Sequence, residues 1–508
     1  MNKRTFILLV FIFAKFVLQY SLVSPEYELH RDEFLHLDQA HHLAWGYLSV
    51  PPVTSWISSV ILFLGGTVFW IRFFPALFGA LTILVCWKVI EELKGNLFAL
   101  ILGSTCLLFS VLLRLNILYH PNSLDVLSWT AFFYVVIKYI NSENPKWFYI
   151  GAIVFAIGFL NKYNLVFLLI GLVPAILLSE QRKIFVRKDF YLAVLLGIMI
   201  ISPNLLWQFN NNWPVFHHLK ELADTQLVNV NRLDFIKEQL LYFFGSLIVI
   251  LVSFYALLFY SPFKKYSFFF WSFCLILTVY TILRAKSYYA IGLYPVYISF
   301  GSVYFGDLLK SRLKIILQLV LLAIPILVII PIFNIIFPVT SPEFIVKHPG
   351  PYRALGMLRW EDGREHPLPQ DFADMLGWKE LAQKIDVIYS NLPDKSNTLI
   401  LCDNYGQAGA FNFYTKTKDM KAVSFNADYV NWFNPDRNIY NFIRVKSYEY
   451  RDNELKQTSP FFESSCKADS ITNKFAREYG TTIFVFKNPN INVNQRLKEE
   501  IDKAKNHR

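Results

Sequence analysis

About eleven apolar runs of membrane-spanning length fill the first two thirds of this chain. They lie near residues 5–23, 67–90, 96–114, 122–140, 147–161, 164–179, 190–207, 239–260, 266–283, 288–306 and 314–338. Roughly 20 apolar residues span the hydrocarbon core as a helix. Inside lipid every backbone N–H and C=O needs an internal partner, so such a chain must fold as a helical bundle or not at all. The composition agrees, with 54% of the 508 residues hydrophobic and 17% aromatic. The first run follows Lys3 and Arg4 and is interrupted by Lys15. No small-x-small cleavage site precedes Pro25, so an uncleaved anchor is expected.

Loop charges orient the bundle. With the N-terminus in the cytoplasm, the cytoplasmic loops hold Lys94, Lys138, Lys146, Arg182, Lys183, Arg187, Lys188, Lys264, Lys265, Lys310, Arg312 and Lys314, as positive-inside bias requires. Eleven spans then put the loop at 24–66 and the C-terminal region outside. The outer cations Arg31, Arg114, Lys162, Lys220, Arg232, Lys237, Arg284 and Lys286 have no topological duty, which makes them candidates for holding an anion.

A net charge of +11 raises the question of nucleic acid. Residues 1–338 carry 25 basic and 16 acidic groups, whereas residues 339–508 carry 24 and 22, so the excess belongs to the membrane part. Orientation and anionic head groups account for it, and no nucleic-acid partner is expected. Cys86, Cys106 and Cys274 fall in apolar runs. Cys402 and Cys466 fall in the exported region, where a disulfide between them stays open.

The expected architecture is mainly α: a transmembrane domain at 1–338 and an extracytoplasmic α/β domain at 339–508. The second part opens with a Pro-rich linker, followed by a helix at 374–391, a strand at 398–402, a helix at 407–414, a strand at 481–486 and a charged helix at 492–506. Within the first loop, residues 32–47 and 53–64 have the spacing of helices lying in the membrane interface.

That loop holds the densest titratable cluster, RDEFLHLDQAHHLAWGYLSVPPV, beginning at Arg31. Charges beside a membrane are costly unless they have a task. Asp32 and Glu33 can serve a helix N-terminus structurally. They can also act as a general base or as metal ligands at a cavity mouth. Glu33 and His36 are the metal candidates, so a divalent metal stays open while no other cofactor is expected. His41, His42 and Tyr47 are candidates for holding substrate. Asp125 lies at the start of the fourth run, where Asn122 and Ser123 already offer caps, which favours a functional acid. Lys162 and the pair Arg284 and Lys286 recur between spans on the same side. They read either as snorkelling cations or as a clamp for a phosphate, with Tyr288 and Tyr289 beside them. Trp207 is either a belt aromatic or a platform for a sugar face.

The segments RDEFLHLDQAHHLAWGYLSVPPV, HPNSLDVLSWTAFFY, GFLNKYNLVF, SPNLLWQFNNNWPVFHHL, AKSYYAIGLYP and DNYGQAGAFNFY, in this order, resemble the bacterial dolichyl-phosphate-mannose-protein-mannosyltransferase-like membrane glycosyltransferases. These have the GT-C fold and are related to the aminoarabinose transferases of lipid A. The resemblance implies transfer of a sugar from a polyprenyl-phosphate donor to a lipid, glycan or protein acceptor. It implies an extracytoplasmic active site on the bacterial inner membrane and inversion at the anomeric carbon. It makes Asp32 the general base with Glu33 beside it, Asp125 a second acid, and Lys286, Arg284 and Lys162 the holders of the donor phosphate. Relatives often carry a Pro-Asp pair where this chain has Pro121-Asn122, so the acid at Asp125 is displaced by three residues. The competing class is a transporter or flippase of an anionic lipid-linked substrate. It would show internal repeats and broken midplane helices. The sequence offers neither, and its charges gather on one side.

Overall fold

The computed structural model describes residues 2–311, 314–417, 419–434, 436 and 438–506. Arg312, counted above among the cytoplasmic cations, lies outside them. Among the described residues, five helices are long and apolar enough to cross a membrane: Lys3–Ser21, Val68–Glu92, Pro121–Ser142, Lys188–Asn210 and Ile315–Ile336. Two bent pairs bring the number to seven if each is one span. Tyr163–Leu177 with Glu180–Val186 turns by 110°, and Arg232–Tyr242 with Phe244–Phe259 by 64°.

The remaining apolar runs fold as shorter helices, Leu97–Leu108, Lys146–Asn161, Phe268–Ile282 and Tyr294–Leu308. The reason is local. Ser110 ends one run by capping the short helix Val111–Leu115, its Oγ accepting from Leu112 N–H. The chain before Tyr294 winds as a 3-10 segment, Ser287–Leu293, and Pro295 sits in the first turn of the following helix. Among the described residues the helices therefore leave the count of eleven spans unconfirmed. Trp87, Trp129, Phe133, Phe269 and Tyr297 fill the bundle core, while Ile315–Ile336 exposes most of its aliphatic surface, as a lipid-facing helix does.

The C-terminal part carries a five-stranded sheet in the order β2-β1-β3-β5-β4, with β1 Thr398–Cys402, β2 Ala422–Ser424, β3 Asn441–Lys446, β4 Phe462–Ser470 and β5 Thr482–Pro489. β1 runs parallel to β2 and β3, and β5 runs antiparallel to β3 and β4. Helices Trp378–Ser390, Tyr405–Tyr414 and Val493–Asn506 complete it. Cys402 on β1 is buried, Cys466 on β4 is exposed, and both are free. Two strands stand between them, so at about 4.8 Å per step they are far beyond disulfide reach.

The first loop is part of this domain's core. Helix Arg31–Gln39 lays Phe34, Leu35 and Leu37 against a cluster that includes Trp378, Leu381, Phe411, Ile443 and Val485. The apolar face read as membrane-facing is thus covered by protein, and the helix stops at Gln39 rather than running to residue 47. Gly409 lets the helices meet: a Cβ there would stand 2.6 Å from Phe34 Cβ and from the Tyr429 hydroxyl. Val53–Phe63 forms where the second short helix was expected.

Candidate active site

His30 starts helix Arg31–Gln39. Its Nδ1 accepts from Asp32 N–H at 3.2 Å, and Glu33 Oε2 accepts from His30 N–H at 2.7 Å, a capping box with histidine in the usual Ser/Thr place. Glu33 is fully buried. Its Oε1 also accepts from Tyr119 N–H at 2.6 Å and pairs with Arg72, which donates in turn to Ile117 C=O at 2.8 Å. The carboxylate joins the first loop, helix Val68–Glu92 and the segment before Pro121. It is an anchor, with both oxygens committed.

Asp32 points the other way and keeps 39% of its side chain exposed. The Tyr405 hydroxyl donates to its Oδ1 at 2.6 Å, and the Arg31 guanidinium lies 4.6 Å over the Tyr405 ring. Burial raises the Asp32 carboxyl, but His30, His120, Arg31 and the Tyr405 hydroxyl outweigh it and hold the group well below the ordinary carboxylate range. Oδ2 lies 3.9 Å from His30 Nδ1 and is left to accept a proton. On its far side His30 Nε2 faces Asp374 at 3.6 Å, which Arg477 also contacts.

His120 stacks edge-on to His30 with ring centres 4.9 Å apart. Burial and neighbouring His30 pull its imidazolium down to about 4, so it is neutral at physiological pH. Among the described residues its buried Nε2 has no partner. His30, Asp32 and His120 each bring one ligand atom to a group within 4.8 Å of one another, a donor set that fits a divalent cation. The metal candidates named from sequence are placed elsewhere. Glu33 is consumed by Arg72 and backbone amides, and His36 is buried against Gln39 at 3.2 Å.

The second cluster is cationic. Lys162 donates to Asn122 Oδ1 at 2.6 Å and lies over the rings of Tyr289 and Tyr288, 4.4 and 5.1 Å from their centres. Burial lowers its ammonium to about 8, against the opposing pull of Asp125. Asp125 is buried and accepts from Asn164 at 2.8 Å and Trp129 at 3.2 Å. Asn164 also donates to Tyr289 C=O at 3.1 Å, which fixes the tyrosine pair. Lys286 pairs with Glu361 from the linker. Burial would lower its ammonium, but Glu361 more than offsets that and raises it. The field of Asp32 reaches both Lys286 and Tyr288, more weakly than their nearer neighbours Glu361 and Tyr289.

Arg284 is not in that cluster. It is exposed and lines a separate cavity with Arg232 and Arg359. His41 and His42 are exposed, with His42 stacked on Trp432 at 4.3 Å. Tyr47 is a buried hub whose hydroxyl meets Gln39 C=O, His42 C=O and Ser55. Trp207 closes on Gly46. The sequence reading carries His120 and Tyr405 only as letters in motifs and does not name His30. His30 adjoins Arg31-Asp32 and Tyr405 sits in DNYG, but no spacing rule joins positions so far apart.

Three similarities bear on the fold and the family resemblance. Residues 49–207 match the model of the dolichyl-phosphate-mannose-protein mannosyltransferase family. A lipid A galacturonosyltransferase, RgtD of Rhizobium johnstonii, is 24% identical over 208 residues, covering 38% of this chain and 43% of that protein, so the match spans less than half the relative's length. The crystal structure of ArnT from Cupriavidus metallidurans bound to undecaprenyl phosphate superposes with a TM-score of 0.64 at 13% identity, over 95% of this chain and 98% of that one. Its apo form gives 0.62 at 12% identity, over 97% and 99%. The chain has the GT-C fold of ArnT: a polytopic, mainly helical membrane part with a small C-terminal sheet domain. The resemblance read from its motifs to the mannosyltransferase-like and ArnT-like membrane glycosyltransferases is borne out.

Proposed function

We propose that this protein moves a sugar from a polyprenyl-phosphate donor to a lipid, glycan or protein acceptor, with inversion, at the extracytoplasmic face of the bacterial inner membrane. One observation carries the reading. A partly exposed carboxylate, Asp32, is kept ionised by His30, His120, Arg31 and the Tyr405 hydroxyl, and its field reaches Lys286, beside the site where Lys162 lies over Tyr288 and Tyr289. The acceptor hydroxyl attacks the anomeric carbon while Asp32 takes its proton through Oδ2. The bond from that carbon to the donor phosphate oxygen breaks, and the departing lipid phosphate gains charge. Lys162 and Lys286 neutralise it, and Tyr288 and Tyr289 form the adjoining wall. Asp125 serves through Lys162, whose charge it favours. A cation on His30, Asp32 and His120 would supply further charge for the phosphate. The two-domain division at about residue 338 remains part of this reading. The test is sugar transfer in proteoliposomes with a polyprenyl-phosphate-linked donor. Asp32→Asn should lose at least about 100-fold in turnover, and wild-type turnover in that variant would remove Asp32 as the base.

A further inference from the structure

Arg232, Arg284 and Arg359 come from three separate stretches of chain and line one cavity of about 440 Å³, with Val228, Asn229, Val230 and Asn231 as the rest of its wall. None of the lining residues is acidic, and among the described residues none of the three guanidiniums is in an ion pair. All three are exposed, so water screens their mutual repulsion, and an anion in this space meets all three. Backbone carbonyls hold two of them there. Arg232 is tied to Thr281 C=O at 3.1 Å and Ile282 C=O at 3.4 Å, and Arg284 to Val228 C=O at 3.2 Å. Arg284 also takes a left-handed backbone, φ 51°, which costs energy for a residue with a side chain. Asn229 binds Glu361 C=O at 2.9 Å and so docks the linker that carries Arg359.

The surroundings say what kind of anion belongs. Val228, Leu233, Ile236, Ile282 and Leu283 are each about half exposed or more beside the arginines. Guanidiniums match phosphate with paired N–H groups, and the aliphatic side chains match acyl chains. We infer that this cavity is a second anion site, distinct from the Lys162 cluster, which holds the phosphate head group of a lipid. It is a binding site whose existence does not depend on glycosyl transfer.

The test uses the full-length protein in neutral detergent micelles. Binding is read by native mass spectrometry with phosphatidic acid, phosphatidylcholine and inorganic phosphate as separate probes. Wild type should bind phosphatidic acid at least tenfold more tightly than phosphatidylcholine, with inorganic phosphate competing only at 100-fold or greater excess. Changing all three arginines to glutamine should weaken phosphatidic acid binding at least tenfold, while changing all three to lysine should restore part of it. Should the triple glutamine variant not fold, Arg359→Gln alone decides, with an expected loss of at least threefold. Equal affinity for the two lipids, competition by phosphate at equal concentration, or unchanged binding in the deciding variant would overturn the inference.

Discussion

The Tyr405 hydroxyl donates a 2.6 Å hydrogen bond to Asp32 Oδ1 across 373 positions of sequence. The sheet domain therefore supplies a group to the first loop's carboxylate. It is part of the site rather than an appendage.

Removing that hydroxyl tests the link. It favours the charged carboxylate, so Tyr405→Phe lets the Asp32 pKa rise toward the ordinary range. The acid limb of kcat/KM should then move to higher pH, with roughly a tenfold lower plateau as the base loses its orientation. A pH–rate profile superimposable on wild type would contradict this.

On the proposed mechanism Lys162 sets the alkaline side. With its ammonium lowered to about 8, it is charged below that pH and neutral above it. Where Lys162 holds the donor phosphate, kcat/KM for the donor should fall about tenfold per unit above pH 8. Lys162→Arg should abolish that limb. Asp125 favours the charged lysine, so Asp125→Asn should move the limb to lower pH.

Glu33 should matter for folding more than for chemistry. Glu33→Gln leaves Arg72 buried beside a neutral group, at a cost of about 3–5 kcal/mol, read from thermal unfolding in micelles. Replacing both residues with methionine should recover only part of this, because the His30 and Tyr119 amides lose their acceptor as well.

Gly409→Ala adds a methyl where 2.6 Å separates the new Cβ position from Phe34 and Tyr429. Forcing the helices apart should cost about 1–3 kcal/mol and lower turnover with it. A change in stability alone, at full turnover, would show that the Asp32–Tyr405 contact tolerates the shift.

Much of the fold was legible because membrane helices are written in long apolar runs. The strand TLILC, the helix expected at 407–414 and found at Tyr405–Tyr414, and the charged terminal helix were legible because their patterns match their burial. β4 was not: FESSCKADS is almost wholly exposed, so its pairing with β5 leaves no hydrophobic alternation to read. A helix break inside an apolar run was hidden too, because hydropathy does not register the 64° bend between Tyr242 and Phe244 within the run at 239–260. At the site, Asp32 stood out by its cost near a membrane. Its partners did not, since a capping histidine and a tyrosine from a distant sheet domain are ordinary residues until the chain is folded.

The Asp32–Tyr405 contact also imposes an order of events during synthesis. Asp32 emerges early, 373 residues ahead of the tyrosine that holds it. Until the C-terminal third has been made and packed against helix Arg31–Gln39, a half-built chain in the membrane has an acid without its setting. On the proposed mechanism a truncation before β1 removes Tyr405, and with it the hydrogen bond to Asp32 Oδ1, while Asp32 itself stays in the chain.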